Sequence, residues 1–333
     1  MIRSLTPLVL LALALATTPA AHAQRRGGTA AAGTGAQGAT ILYRQDFEQE
    51  ADFAATGYCS ARFLKGQDPD VERKARPVGF TVTRVAGPEA AHGSAGALKI
   101  LITADRSQVK DSYIAAERYC QWPGDDATIA LLFYAHGVTQ AFIQCWDEKL
   151  GKNLHGDLAI ERQDEWQMVR LPVATFTGWG SGAFSPGDTF GNLTINLSGF
   201  DPDTPNPYLL VDDVVIYAQN DTVPPTAPPG DVRVTAAPDG RGTVLAWTPA
   251  KDELGPCEYA VHRHDAAEFK PTTLNRLGVT AGCTFKDAGV TPGRTYYYVV
   301  VALDLGRSRA PAPTVRFDAP AAPAGSNKPA LEF

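Results

Sequence analysis

Short apolar runs of strand composition, separated by turn residues, recur along most of this sequence and constrain its fold more than any other feature. The runs are rich in Val, Ile, Tyr and Phe, which favour strands. Helical periodicity is weak, since its best stretch, residues 69–76, is short and charged. The runs are 41–47, 80–85, 97–102, 113–119, 128–134, 141–146, 167–171, 193–197 and 208–217, then 231–235, 243–247, 258–262, 284–287 and 295–304. They predict an all-β protein with a two-sheet jelly-roll β-sandwich followed by a smaller, immunoglobulin-like sandwich.

Changes in composition divide the chain into segments. The N-terminal segment has one early cation, an apolar stretch and small residues at its end, which is typical of a secretory signal peptide. A Gly- and Ala-rich stretch and a Pro-rich stretch predict a flexible lead and an extended spacer. The predicted segments are a signal peptide (1–23), a flexible linker (24–39), a jelly roll (40–219), a Pro-rich linker (220–230), a smaller sandwich (231–317) and a disordered tail (318–333).

The charge of the chain argues against two classes of partner. The net charge is −6 and the sequence pI is about 5.5. No run of cations is longer than the pair Arg25 and Arg26, so the basic patch that phosphates require is missing. We therefore expect no binding to nucleic acid and no membrane insertion. The signal peptide indicates a protein that is secreted, periplasmic or held at the cell surface, and we expect it to be a monomer.

The five cysteines are an odd number for an exported protein. At most two disulfides can form, and one thiol is left over. Cys257 and Cys283 fall together in the last third and are the favoured pair. Cys59, Cys120 and Cys145 compete for the other disulfide.

A predicted β-hairpin over residues 128–146 offers the first candidate ligand site. Strand alternation places Tyr134, Gln144 and Trp146 on one face, where aromatic and amide groups could bind a sugar. Leu132 and Phe142 share that face, which indicates that part of it is buried.

The loops at one end of the sandwich are an alternative ligand site. The candidate aromatic residues there are Tyr58, Trp122 and Trp179, the last of which is flanked by glycines. The residues alone do not decide between the two sites.

Catalytic signals are missing from the sequence. No G-x-S-x-G, H-E-x-x-H or C-x-x-C motif occurs. A glycosidase needs two carboxylates that face each other across a cleft, whereas the acids here lie mostly in predicted turns. His136 and His155 lack the neighbouring Arg, Gln and Tyr set of a jelly-roll lyase and are interpreted as turn residues. A non-catalytic protein is therefore expected.

The first block resembles a known fold family. Four motifs carry the likeness: Asp-Phe-Glu at 46–48, the run at 91–100, Trp-Gln-Met-Val-Arg-Leu-Pro at 166–172, and Leu-Val-Asp-Asp-Val at 210–214. In this order they resemble the galactose-binding-like jelly roll, the fold of many carbohydrate-binding modules. The likeness implies a carbohydrate ligand, and it makes Trp166 a framework residue of the core.

The same resemblance implies a structural Ca²⁺ that ties the first strand to the last. The implied ligands are the Glu48 carboxylate, backbone oxygens around His92 to Ser94, and Asp212 or Asp213. Hard oxygen ligands of this kind suit Ca²⁺. Since adjacent residues of a strand point to opposite faces, only one of the two aspartates is expected to bind.

The second block resembles the fibronectin type III domain. The likeness rests on Trp247 in Leu-Ala-Trp-Thr-Pro, on residues 259–263, and on Thr-Pro-Gly-Arg-Thr-Tyr-Tyr-Tyr at 291–298. It implies that the Tyr296 hydroxyl bonds to the backbone in a tyrosine corner, and that Tyr298 packs with Trp247 in the core. His262 and His264 share a face but lack a third metal ligand, so no metal is expected there.

The sequence therefore predicts an exported, non-catalytic polysaccharide-binding protein with a structural calcium ion. A structural or adhesive cell-envelope protein that binds protein partners through its β-sandwiches is the first alternative. A polysaccharide-degrading enzyme is the second.

Overall fold

The computed structural model describes residues 39–49, 59–62, 80–86, 90–91, 94–103, 114–178, 182–219 and 221–321. For residues 59–62, 114–117 and 119 it describes the backbone alone. The predicted signal peptide, nearly all of the predicted lead and most of the predicted tail lie outside these residues, as do Tyr58, His92 and Trp179. Among the described residues, no helix has the length and apolar composition needed to cross a membrane.

The first unit is a jelly-roll β-sandwich. Its strands are β1 (Thr40–Gln45), β2 (Cys59–Arg62), β3 (Phe80–Val85), β4 (Ala97–Ile102), β5 (Ile114–Pro123), β6 (Ala127–His136), β7 (Val138–Asp147), β8 (Lys152–Leu158), β9 (Trp166–Pro172), β10 (Thr189–Phe200) and β11 (Tyr208–Ala218). Sheet A has the order β3-β4-β11-β6-β9, with β1 also paired to β11. Sheet B has the order β2-β5-β10-β7-β8. The all-β prediction for this unit is confirmed.

The two sheets enclose one apolar core. On β6, alternate residues Ile129, Leu131 and Phe133 are fully buried in it. On β10, Ile195 and Leu197 face them in the same cluster. The remaining residues of these strands therefore point to the two outer faces of the sandwich.

Residues 128–146 do not form the predicted hairpin within one sheet. β6 pairs with β11 and β9 in sheet A, whereas β7 pairs with β10 and β8 in sheet B. Gly137, with a φ of 65°, links them, and the chain crosses from one sheet to the other. A short break that contains glycine is expected both for a hairpin turn within one sheet and for a crossing between two sheets. The sequence signal therefore does not distinguish the two. Tyr134 consequently lies in a different sheet from Gln144 and Trp146.

The second unit is a smaller β-sandwich. Its strands are β12 (Gly230–Ala236), β13 (Thr243–Thr248), β14 (Glu258–His264), β15 (Arg276–Thr280), β16 (Thr284–Asp287), β17 (Thr295–Leu303), β18 (Arg309–Pro311) and β19 (Val315–Asp318). One sheet has the order β12-β13-β16. The other has the order β15-β14-β17-β18, with β19 also paired to β17.

Aromatic residues fill the core of this second sandwich as expected. Trp247, Tyr296 and Tyr298 belong to one buried cluster. The Tyr296 hydroxyl accepts a hydrogen bond from the Thr291 N–H (3.0 Å), which is the predicted tyrosine corner. The buried Tyr298 hydroxyl donates to Asp287 (2.8 Å), so its polar end is satisfied as well.

The two sandwiches pack directly against each other. The outer face of sheet A contributes Ala130 and Val215 to a buried cluster that also contains Leu305 of the second sandwich. Arg170 on β9 donates to the carbonyl oxygens of Leu305 (3.0 Å) and Asp304 (2.9 Å), and its guanidinium pairs with Glu258 (2.8 Å).

Trp166 also lies at this contact. It is partly buried against Leu132 and Ala281, and its carbonyl oxygen accepts from the Ala281 N–H (3.2 Å). It therefore supports the junction between the sandwiches, and it does not belong to the core of the jelly roll.

The predicted spacer and tail are more ordered than expected. In the Pro-rich segment, Asp221 is 1% exposed and Ala227 exchanges backbone hydrogen bonds with Lys251. At the other end, β19 extends to Asp318 and Ala319 is buried in the second core. The spacer therefore packs on the second sandwich, and the described fold continues beyond residue 317.

The favoured disulfide is not formed. Cys257 and Cys283 are both thiols that lie in the second core near the Tyr259 ring. Cys120 and Cys145 are also thiols, on strands that flank β10 from opposite sides. A whole strand separates their backbones, which is why these two do not pair. Burial raises the pKa of Cys120 to about 12. The side chain of Cys59 lies outside the described residues.

Candidate functional site

The outer face of sheet B, defined here by outward residues of β10, β7 and β8, carries the candidate site. Strand register aligns these residues in three rows across the sheet. The rows are Asn196–Phe142–Asp157, Thr194–Gln144–His155 and Gly191–Trp146–Asn153. None of the nine belongs to the apolar core. The face thus combines two large aromatic residues with amide, hydroxyl, imidazole and carboxylate groups.

Trp146 is the exposed aromatic residue of this face. It is 38% exposed and is the last residue but one of β7, which lies between β10 and β8. Its neighbour on β10 is Gly191, which places no side chain beside the indole. The space over Gly191 is reached instead by Glu148, since a β-carbon there would lie 2.7 Å from the Glu148 Oε1 atom. An open indole therefore has a carboxylate next to it.

The centre of the face contains buried polar groups. Gln144 is 4% exposed and Asn196 is 0% exposed. The Asn196 amide nitrogen donates to the Thr194 carbonyl (3.3 Å), whereas its Oδ1 atom has no hydrogen-bond partner. A buried acceptor without a partner carries a desolvation penalty, so such atoms are functional candidates.

This arrangement suits recognition of a molecule with one apolar face and many hydroxyl groups. The Trp146 ring can stack on the C–H face of such a molecule. The carboxylate of Glu148 and the groups of Asn153 and His155 can exchange hydrogen bonds with its hydroxyls. Binding sites of this kind combine apolar contact with a few placed polar groups.

Tyr134, predicted to share this site, lies on the outer face of sheet A instead. Its ring stacks on Tyr208 at 6.1 Å and lies 5.9 Å from Trp166. Its hydroxyl donates to Asp164 (3.3 Å), and burial raises its pKa. On the far side, Lys99 Nζ lies 4.3 Å from the Tyr208 ring centroid. These partly exposed rings contact one another across strands and stabilise the sheet.

The loop-end alternative loses one member. Trp122 is 2% exposed and stacks on Phe190 in the first core, at 6.1 Å. The ring therefore belongs to the apolar core between the two sheets, although Trp122 lies at the end of β5. Tyr58 and Trp179 lie outside the described residues, so the remainder of that prediction stays open.

The predicted calcium ligands of the first and last strands come together in space. The Ser94 hydroxyl donates to Glu48 (2.6 Å), and the Ala95 N–H donates to the same carboxylate (3.0 Å). Asp212, which is 0% exposed, accepts from the Ala91 N–H at 3.4 Å. Glu48, Ser94 and Asp212 thus form one group, called here the end cluster, which Asp213 and Asp46 complete.

Asp213 joins the end cluster against the expectation from strand alternation. Its φ is 46°, and the register between β11 and β6 shifts between Asp212 and Val215. This β-bulge breaks the alternation of faces, so both aspartates reach the same cluster. Burial and the Asp213 charge raise the pKa of Asp212 to about 9. Burial also raises the pKa of Asp213 to about 6, with contributions from Asp46 and Glu48.

Several residues of the outer face were missed in the sequence. Asn153, His155 and Asp157 lie on β8, whose sequence Lys-Asn-Leu-His-Gly-Asp-Leu has few apolar residues. Its inward residues Leu154 and Leu158 do alternate, and that spacing was the available signal.

The comparisons with known proteins give the following matches. No protein-family model matches the chain, and no curated protein does. Among solved structures, the chain is similar to a family 11 carbohydrate-binding module of the cellulase Lic26A-Cel5E of Clostridium thermocellum. The identity is 11% and the TM-score 0.36, over 56% of this chain and 97% of that one.

The chain is also similar to parts of two larger proteins. One is the glycoside hydrolase domain of Endo-D from Streptococcus pneumoniae, at 12% identity and a TM-score of 0.35, over 77% of this chain and 37% of that one. The other is a β-1,2-glucanase from Parabacteroides distasonis, at 13% identity and a TM-score of 0.31, over 85% of this chain and 37% of that one. The chain therefore covers well under half of either of these two proteins.

Proposed function

We propose that this protein is an exported, non-catalytic carbohydrate-binding protein that holds polysaccharide on the outer face of sheet B. The observation that carries the proposal is Trp146, an exposed aromatic residue near the end of β7 that is bordered by polar side chains. A pyranose ring presents an apolar C–H face and a rim of hydroxyls, which match the indole and its polar neighbours.

The spacing along the face favours a chain of sugars over a single one. Successive rows on β7 place Phe142, Gln144 and Trp146 two residues apart, or about 7 Å. The whole face therefore extends over more than one monosaccharide. Asn196, Phe142, Thr194 and Gln144 are buried, so we propose that sugars reach the first two rows through Asp157 and His155, while Trp146 provides the most exposed position.

A panel of insoluble and soluble polysaccharides tests the function. The full chain is mixed with each polysaccharide, and the retained fraction is measured with bovine serum albumin as the control for non-specific retention. Retention on at least one polysaccharide is expected. The same samples are assayed for released reducing sugar, and release above background would support the enzyme alternative. If no member of a broad panel retains the protein, carbohydrate binding is wrong.

We also propose that the end cluster holds a structural Ca²⁺. Its four carboxylates, Asp46, Glu48, Asp212 and Asp213, lie near the Arg44 guanidinium, which is 4.0 Å from Asp213. The Arg84 guanidinium donates to the backbone carbonyl oxygen of Glu48 and not to its carboxylate. The cluster therefore has more acidic than basic groups, and a divalent ion would reduce the repulsion between them. Ca²⁺ would supply the positive charge and tie β1 to β11 across the sheet.

Replacing Asp212 with Asn tests this ion. In the wild type, Ca²⁺ at about 100 times its Kd is expected to raise the melting temperature by about 5–10 °C, because only the folded state binds it. Asp212→Asn should lose a large part of that shift. The control is Asp239→Asn, whose exposed carboxylate pairs with Lys286 far from the cluster. A calcium-dependent shift that is the same in Asp212→Asn and in the wild type would contradict the assignment.

A further inference from the structure

A second acidic group lies where the connector meets the second sandwich. Asp221 belongs to the connector, Asp252 to the turn after β13, and Asp304 follows β17 directly. One carboxylate oxygen from each lies within 4.8 Å of the other two. Asp221 is 1% exposed and Asp304 is 0% exposed. These three residues are called here the junction triad.

The hydrogen bonds of the triad leave oxygens available. The Oδ1 atom of Asp221 accepts from the Val223 N–H (3.1 Å), and that of Asp304 accepts from the Ser308 N–H (2.8 Å). The Oδ1 atom of Asp252 accepts from the Leu254 N–H in the same way (2.9 Å). The Oδ2 atoms of Asp221 and Asp304 are buried and have no hydrogen-bond partner. Two almost fully buried carboxylates thus each present an unused oxygen.

The triad has no close cationic partner. Among the described residues, no Lys or Arg forms an ion pair with any of the three carboxylates, although the charge of Arg44 acts on Asp252 from a greater distance. Arg170 approaches the same turn, but its guanidinium binds the Asp304 and Leu305 carbonyls and pairs with Glu258. Three carboxylates this close together repel one another, and a bound cation would relieve that repulsion.

We propose that the junction triad binds a hard divalent cation, Ca²⁺, and that this ion fixes the connector to the second sandwich. Carboxylate oxygens are the preferred ligands of Ca²⁺, which also accepts carbonyl and water oxygens to complete six to eight positions. The group contains neither His nor Cys, so it does not suit Zn²⁺.

The backbone segments that carry the triad approach one another closely at two glycines. A β-carbon at Gly306 would collide with the carbonyl oxygen of Asp221, so only glycine lets the turn after β17 approach the connector. A β-carbon at Gly255 would lie 3.0 Å from Leu305 Cδ1 and 3.4 Å from Val215 Cγ2 of the jelly roll. The ion therefore joins three segments at the end of the second sandwich that meets the jelly roll.

The consequence is a calcium-dependent junction. Arg170 binds the carbonyl side of the Asp304–Leu305 turn, and the ion would bind its carboxylate side. With Arg170 and the ion both bound, the Asp304–Leu305 turn would be held in one position against sheet A. Without the ion, mutual repulsion of the three carboxylates pushes the connector away from the turn.

Calcium titration of the full chain tests the proposal. The background is Asp212→Asn, which removes the end cluster as a source of calcium response. In this background, Ca²⁺ is expected to bind with a stoichiometry near one and to raise the melting temperature by about 5 °C or more. Adding Asp221→Asn or Asp304→Asn should weaken Ca²⁺ binding at least about tenfold, as loss even of outer-shell partners does at metal sites. Asn keeps the acceptor for Val223 or Ser308, so the turns are retained.

Gly306→Ala gives a second variant that removes no charge. It should displace Asp221 and weaken calcium binding. Gly240→Ala, in an open turn with a φ of 69°, costs backbone strain but should leave calcium binding unchanged, so it controls for a general loss of stability. Calcium binding that Asp221→Asn and Asp304→Asn leave unchanged would overturn the proposal. So would the loss of all calcium response in Asp212→Asn, since every ion would then belong to the end cluster. Neither result bears on polysaccharide retention.

Discussion

Arg170→Ala is expected to lower the free energy of unfolding by about 3 kcal/mol. The arginine makes two hydrogen bonds to carbonyls of the second sandwich and an ion pair with Glu258, and the two side chains are 15% and 14% exposed. Truncation leaves the mostly buried Glu258 carboxylate and the Leu305 carbonyl without Arg170, whereas the Asp304 carbonyl still accepts from the Arg307 N–H. Since these bonds connect the two sandwiches, we expect scanning calorimetry to show one transition for the wild type and two for the variant.

Two further variants make the result interpretable. Arg162→Ala removes an arginine of the same jelly roll whose pair with Glu165 is solvent-exposed, at 37% and 55%, and it should cost less than about 1 kcal/mol. Arg170→Lys retains the charge but not the planar fork, so an intermediate loss is expected. Equal losses from Arg170→Ala and Arg162→Ala would show that the junction contributes little to stability.

Trp146→Ala is expected to weaken polysaccharide binding by about 2 kcal/mol, or about 30-fold. The indole is the large exposed ring of the face, and its removal takes away the stacking surface next to Gly191 and Glu148. Because the side chain contributes little to the core, the melting temperature should change by only a few degrees. Affinity gel electrophoresis against the best-retained polysaccharide measures the loss.

Tyr134→Ala distinguishes the two faces of the jelly roll. Tyr134 packs between Tyr208 and Trp166 on sheet A, so its removal should lower stability but leave the affinity for polysaccharide unchanged. A loss of affinity in Tyr134→Ala, with Trp146→Ala unaffected, would place the ligand on sheet A.

The positions of the strands were largely predictable from the local sequence. The assignment of each strand to one of the two sheets was not. Runs such as Phe80–Val85 and Ala97–Ile102 occur where the sequence places them, because β-branched and aromatic residues alternate there. The polar edge strand Lys152–Leu158 was missed, since only Leu154 and Leu158 mark its inner face. Whether β6 and β7 pair with each other or lie in different sheets depends on contacts between residues that are distant in the sequence. Gly137 permits either arrangement.

The candidate site was partly visible for the same reason. Alternation places Gln144 and Trp146 on one face of β7, as the structure has them. Trp122 could not be recognised as a core residue, because its burial depends on Phe190. That residue lies on the neighbouring strand β10 but far away in the sequence. The bulge at Asp213 breaks strand alternation, which is why both aspartates reach the end cluster.

The junction between the sandwiches had no local signal. Arg170 lies in an ordinary amphipathic strand, and its partners are more than 80 residues away in the chain. Asp221 stands in a Pro-rich segment whose composition indicates an isolated spacer. Its burial depends on Gly306, where the absence of a side chain allows close approach.

Calorimetric titration of the best-retained polysaccharide into the wild type and into Trp146→Ala tests the carbohydrate site directly, with the fold of each protein verified by thermal melting. We expect measurable binding by the wild type and binding about 30-fold weaker in the variant, at nearly equal melting temperatures. The same Kd in both proteins would contradict a carbohydrate site on the outer face of sheet B.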